Sequence, residues 1–106
     1  VSYPNFITHK KVTAKSVVLN SEINGVSLTD RIVIIEGADP GFDWIFSKKI
    51  AGLITKYGGA NSHMAIRCAE FGIPAAIGCG EQRYDLLLKV KQVHLDCAAG
   101  LVSPIH

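Results

Sequence analysis

An α/β domain, with short helices packed on a largely buried sheet, is what this sequence of 106 residues predicts. Three observations carry the expectation. Short runs rich in β-branched residues recur with turn residues on both sides. Segments with helical spacing alternate with those runs. Finally, 48% of the residues are hydrophobic, enough to build one core in one compact domain but not two.

The elements follow in order. KVTAKSVVL (11–19) and RIVIIE (31–36) read as strands, with Asn24-Gly25 marking a turn between them. After Gly37, Asp39 is placed as an N-cap and Pro40 at the first helical position, with Phe42, Ile45, Phe46 and Lys49 at helical spacing. A short helix is expected over 40–48. AGLIT (51–55) is a short buried strand leading into Gly58 and Gly59. A helix is expected from Ser62 to Phe71, stopped by Gly72, which tolerates positive φ, and by Pro74. AAIG (75–78) is a strand, a helix of about two turns begins at Glu81, and QVHLD and GLVSP are the closing strands. The first ten residues are expected to be a loosely held end.

Charge and composition exclude several functions. Eleven basic against nine acidic residues leave a formal charge of +2, spread without a basic run, so no nucleic-acid partner is expected. No apolar run reaches the roughly 18 residues that span a bilayer and no signal-peptide pattern opens the chain, so a cytoplasmic protein without a membrane partner is expected. Cys68, Cys79 and Cys97 lie among apolar neighbours at irregular spacing, which predicts buried thiols rather than a disulfide framework. No metal site is expected. His94 and Cys97 are three residues apart, but no second pair completes a ligand set.

His63 is the residue with most chemical promise. On a helical wheel it shares a face with Arg67 and Glu70, opposite Ala65, Ile66, Cys68 and Ala69. It stands at a helix start, where backbone N–H groups lack intrahelical acceptors and the macrodipole is positive. A ring nitrogen there can attack phosphorus. A phosphoryl group bound to it, with about two negative charges, would be stabilised by roughly 0.3 to 2 kcal/mol. Gly58 and Gly59 would give a phosphate donor clearance, Asn61 and Ser62 a cap and a further donor, and Arg67 a guanidinium one turn away. The alternatives are a solvated surface histidine and, for Arg67, a surface salt bridge to Glu70.

Residues 51–78, AGLITKYGGANSHMAIRCAEFGIPAAIG, resemble the phosphohistidine (swivelling, mobile) domain of the phosphoenolpyruvate-utilising enzymes, of the phosphoenolpyruvate synthase and pyruvate phosphate dikinase type. The shared elements are the strand ending in Thr55, the glycine pair, Ser62-His63, Ala65-Ile66, Glu70, and Gly72-Ile73-Pro74-Ala75 with Gly78. ADPGFDWIF and VHLDCAAGLV resemble the family's segments before and after that run. The resemblance implies a swivelling β/β/α fold, one phosphohistidine domain over residues 1–106 belonging to a larger multidomain phosphotransferase, and His63 as the phosphoryl carrier. It further implies an ATP-binding domain and a phosphoenolpyruvate- or pyruvate-binding domain as partners. ATP or phosphoenolpyruvate and Mg would be held on those partners, with no cofactor bound here. Four positions depart from the family pattern: Arg67 stands where an apolar residue is usual, and Asn61 replaces a threonine, Met64 a small residue and Ala69 an arginine. These departures motivate the competing reading, a non-catalytic docking or regulatory module that kept the fold without the relay.

Overall fold

The computed structural model describes residues 3–19 and 27–106; the turn expected at Asn24-Gly25 lies outside them. The strands are β1 (Asn5–Ile7), β2 (Lys11–Val18), β3 (Ile32–Ile35), β4 (Gly52–Thr55), β5 (Ala75–Ile77), β6 (Gln92–Asp96) and β7 (Leu101–Ile105). The helices are a 3-10 helix, Pro40–Lys48, and the α-helices α1 (His63–Phe71) and α2 (Glu81–Leu87). Together the strands make one sheet in the order β1-β5-β4-β3-β2-β6-β7. Strands β2, β3, β4 and β5 pair in parallel, and β1, β6 and β7 add to the two sides in antiparallel.

β3, β4 and β5 are buried at every position, and apolar except for Thr55, because both of their faces are covered. Every residue of β3 is fully buried. Val33 and Ile35 of β3, Leu53 of β4 and Ala75 and Ile77 of β5 face one core with Ile45, Phe46, Met64, Ala65 and Cys68 from the 3-10 helix and α1. Their neighbours Ile32, Ile34, Ile54 and Ala76 face a second core with Tyr84 and Leu87 of α2 and Val93 and Leu95 of β6. Val12 and Ala14 of β2 and Val102 of β7 pack against that second core too. The sheet therefore curls until its β2-β6-β7 end covers the parallel strands, giving strand, strand and helix layers. Each fully buried Ile or Leu contributes about 1.5–3 kcal/mol.

Local sequence explains the helices. Asp39 caps the 3-10 helix, its Oδ1 accepting from Gly41 N at 2.9 Å, and Pro40 is the first helical residue. The interior Gly41, Phe42, Asp43, Trp44 and Ile45 are all weaker α-formers than Ala or Leu, and the expected helix winds as a nine-residue 3-10 helix. Ser62 caps α1 and Gly72, at φ +67°, ends it, its N–H and that of Ile73 taking the carbonyls of Ala69 and Cys68.

Two sequence expectations are corrected. The opening residues are not all loose: β1 pairs with β5 through Asn5–Ile77, Phe6–Ala76 and Ile7–Ala75. On α1, Met64, Ala65 and Cys68 are the buried stripe, while Ile66 is 52% exposed and Ala69 is exposed. The three cysteines are free and buried as expected, and desolvation raises all three thiols, Cys68 to about 12 and Cys79 to about 11.

Candidate functional site

In an open parallel sheet, the chain leaves each strand at its carboxyl end, and crossovers that follow start there together. The 3-10 helix follows β3 and α1 follows β4, so both begin at that edge. This topology brings Asp43, in the first turn of one, against His63, the first residue of the other.

Ser62 holds the start of α1. Its backbone is extended (φ −69°, ψ 158°), its N–H donates to Gly59 O at 3.0 Å, and its Oγ accepts from Ala65 N at 3.4 Å. The amides of His63 and Met64 then remain without intrahelical acceptors, and no acidic residue lies in the first turn. A carboxylate is supplied from the neighbouring helix instead. His63 Nε2 donates to Asp43 Oδ1 at 2.8 Å, because an ionised carboxylate can only accept. Arg67 Nε donates to the same oxygen at 3.1 Å, and its NH1 donates to Glu70 Oε1 at 3.4 Å. Arg67 also lies 4.8 Å from the centre of the Phe71 ring and 5.8 Å from that of Phe46, so aromatic faces steady the guanidinium. The Asp43 carboxyl is held below its ordinary value, first by the His63 hydrogen bond and then, against desolvation, by Arg67.

The glycine loop is set from beneath. Thr55, the sole buried polar side chain among the described residues, donates its Oγ1 to Tyr57 O and accepts from Gly78 N, both at 2.8 Å. Gly58 has φ +129°, and a Cβ there would stand 2.7 Å from the Ala38 Cβ. Gly78 has φ +77°, and its Cβ would stand 2.3 Å from Gly58 O. Close packing, then, is what Gly58 needs; Gly59 alone of the pair faces open space.

Of the residues singled out in the sequence, Ser62, His63 and Arg67 come together, with Asn61 exposed beside them and Gly58 and Gly59 in the loop leading in. Asp43 is the member that sequence reasoning passed over. Its available signal was an acidic residue in the first turn of the crossover preceding that of His63. The side chains of His63 and Asp43 are each 42% exposed and that of Arg67 32%. A cavity of about 570 Å³ lies elsewhere, lined by Lys15, Lys89, Lys91, Val90, Gln92, Ile105 and His106, so His63 stands on open surface rather than in that cavity. His94 is separate as well, its Nδ1 2.6 Å from Thr13 Oγ1. No helix among the described residues is long and apolar enough to cross a membrane.

Comparison with known proteins places the chain in a family. Residues 28–100 match the family model described as PEP-utilising enzyme, mobile domain. Phosphoenolpyruvate synthases of Neisseria meningitidis serogroup B and Escherichia coli K12 are each 34% identical over 80 residues, 76% of this chain. That of Pseudomonas aeruginosa is 32% identical over 83 residues, 74% of the chain. The chain spans about 10% of the length of each of these relatives. Among solved structures, a UPF0107 protein determined by solution NMR superposes with a TM-score of 0.76 at 16% identity, covering 99% of this chain and 98% of that one; this is a likeness of fold. The matched region contains the capped helix, the glycine loop and both crossovers, and the chain belongs to the PEP-utilising enzyme mobile-domain family.

Proposed function

We propose that this chain is the phosphoryl carrier domain of a phosphoenolpyruvate-utilising phosphotransferase, relaying phosphate through a phosphorylated His63. The observation that carries the reading is the accessible imidazole of His63 on the first residue of a capped helix, with the Arg67 guanidinium close enough to share its acceptor oxygen. Amides without intrahelical acceptors, the positive helix end and a fixed guanidinium are what a phosphoryl group of about two negative charges calls for.

The site is open, so the phosphoryl donor and acceptor must be presented by other surfaces. Ile66, one turn from His63, and Trp44 and Tyr57, adjacent in sequence to Asp43 and the glycine pair, are large exposed apolar side chains suited to such docking. Membership of a family of much longer relatives supports partners on one polypeptide: an ATP-binding domain and a phosphoenolpyruvate- or pyruvate-binding domain, with Mg and the nucleotide or phosphoenolpyruvate held there. A covalent relay divides one long transfer into two short ones, and positioning with charge stabilisation does most of the catalytic work in each.

The test is labelling of the parent protein with radiolabelled ATP or phosphoenolpyruvate. Acid-labile, base-stable label in the wild type and none in His63→Ala is the expected result. Absence of label from every donor would support the docking-module reading instead.

A further inference from the structure

The carboxylate of Asp43 touches both groups that the relay would use, through one oxygen. Oδ1 is 2.8 Å from His63 Nε2 and 3.1 Å from Arg67 Nε. An oxygen of a phosphoryl group bonded to Nε2 would be separated from that nitrogen by a single atom, which puts it at about hydrogen-bond distance from Nε2. That is the shell Oδ1 already occupies. The phosphorus itself would have to sit on the side of Nε2 that now points at Oδ1, and 2.8 Å leaves no room for it between them, so carboxylate and phosphoryl group exclude each other.

We propose that Asp43 is a positioning residue that holds the place of a phosphoryl oxygen in the uncharged carrier and is displaced when His63 is charged, passing Arg67 to the phosphoryl group. The proposal rests on the relay reading and adds a residue to it. In the resting site the carboxylate fixes the ring and the guanidinium in the positions a phosphoryl oxygen would need. For charging, the ring moves its proton from Nε2 to Nδ1 through water. The Nε2 lone pair then forms the bond to phosphorus while the bond from phosphorus to the donor oxygen breaks, its electron pair staying with the donor. Asp43 leaves, and Arg67 Nε turns from Oδ1 to a phosphoryl oxygen. Glu70 keeps hold of NH1 at 3.4 Å, so the guanidinium does not have to be positioned afresh. On discharge the proton returns to Nε2 and the carboxylate closes again.

A carrier must give up its load as readily as it takes it, and a carboxylate that re-forms two charge-assisted bonds on discharge offsets what the phosphoryl group loses. Asp43 therefore works against the charged state. Its side chain is 42% exposed, so replacing it by the isosteric amide leaves the core untouched.

The chain is charged with phosphoramidate, a small donor that needs no partner domain, then freed of donor, and loss of phosphohistidine is followed by phosphorus NMR. His63→Ala is the blank for the remaining histidines. Asp43→Asn should lose phosphate roughly two- to fivefold more slowly than wild type, the range expected of exposed charge pairs, and Arg67→Gln faster. Equal or faster loss in Asp43→Asn overturns the proposal while leaving the relay standing. Phosphorus bonded to Nδ1, read from nitrogen–phosphorus coupling, also overturns it, because Asp43 would then not have to move. If wild type takes up no more phosphate than His63→Ala, the relay reading falls and the proposal with it.

Discussion

Removing the imidazole of His63 should be felt first at Asp43. The carboxyl of Asp43 is lowered from 3.8, with the His63 hydrogen bond the largest cause, desolvation opposing it, and Arg67 adding to it. A group whose pKa is depressed by folding contributes stability above its unfolded value, roughly 3.9, and loses that contribution as pH falls through the lower folded value. The contacts of Asp43 with His63 and Arg67 should thus persist through neutral and mildly acid solution and open only below the usual carboxylate range. Carbon NMR of the Asp43 carboxyl is expected to give a midpoint below the ordinary value of 3.8 in wild type, raised in both His63→Ala and Arg67→Gln. A wild-type midpoint at or above the ordinary value would contradict the contact. None of this was visible in the sequence, where Asp43 and His63 stand twenty residues apart. His63 and its cap were legible because Ser62, Gly72 and Pro74 are local signals, whereas Asp43 is brought in by sheet topology.

At the level of elements, the loop before α1 is held by one side chain and one close approach. Thr55 is fully buried and satisfies both the Tyr57 carbonyl and the Gly78 amide. Thr55→Val keeps the shape and removes both bonds, leaving two backbone groups unpaired, and should cost about 1–3 kcal/mol. Thr55→Ser should retain most of that stability. Gly78→Ala would drive a Cβ into Gly58 O at a positive φ and is expected to cost more than about 2 kcal/mol, whereas Gly59→Ala, with open space around it, should stay within about 0.5 kcal/mol of wild type. Urea unfolding of the four variants measures the ranking; a Gly59→Ala loss equal to that of Gly78→Ala would refute it. The sequence announced a glycine turn but could not divide the work among its glycines, because that depends on a second loop, at Gly78, arriving from β5. The helical wheel erred for a related reason. A wheel assigns a face from composition, but α1 has only a narrow stripe to bury, and the one at 64, 65 and 68 leaves Ile66 facing outward.

Across the whole molecule, the central parallel strands were the most legible part, since doubly covered strands read as near-continuous apolar runs, as IVII within RIVIIE and LI within AGLIT do. β1 was the least legible. It is three residues long, lies between Pro4 and His9, and is defined only by its pairing with β5. That pairing covers the edge of the parallel sheet, and its two sides reach both cores: Phe6 packs against the second and Ile7 against the first. Asn5 adds a side-chain bond to Ile77 O at 3.4 Å, at the end of β5 nearest the Gly78 loop. Deleting residues 1–8 removes two apolar anchors and leaves Ala75, Ala76 and Ile77 with an open row of backbone groups, a template for pairing with another chain. Loss of the two partly buried anchors should cost about 2 kcal/mol or more. In a domain of this size each 1 kcal/mol is worth roughly 4–8 °C, so the melting temperature should fall by about 8 °C or more and concentration-dependent association should appear in sedimentation. A truncated chain that melts with the parent and stays monomeric would show that β1 neither guards the edge nor ties the two cores together.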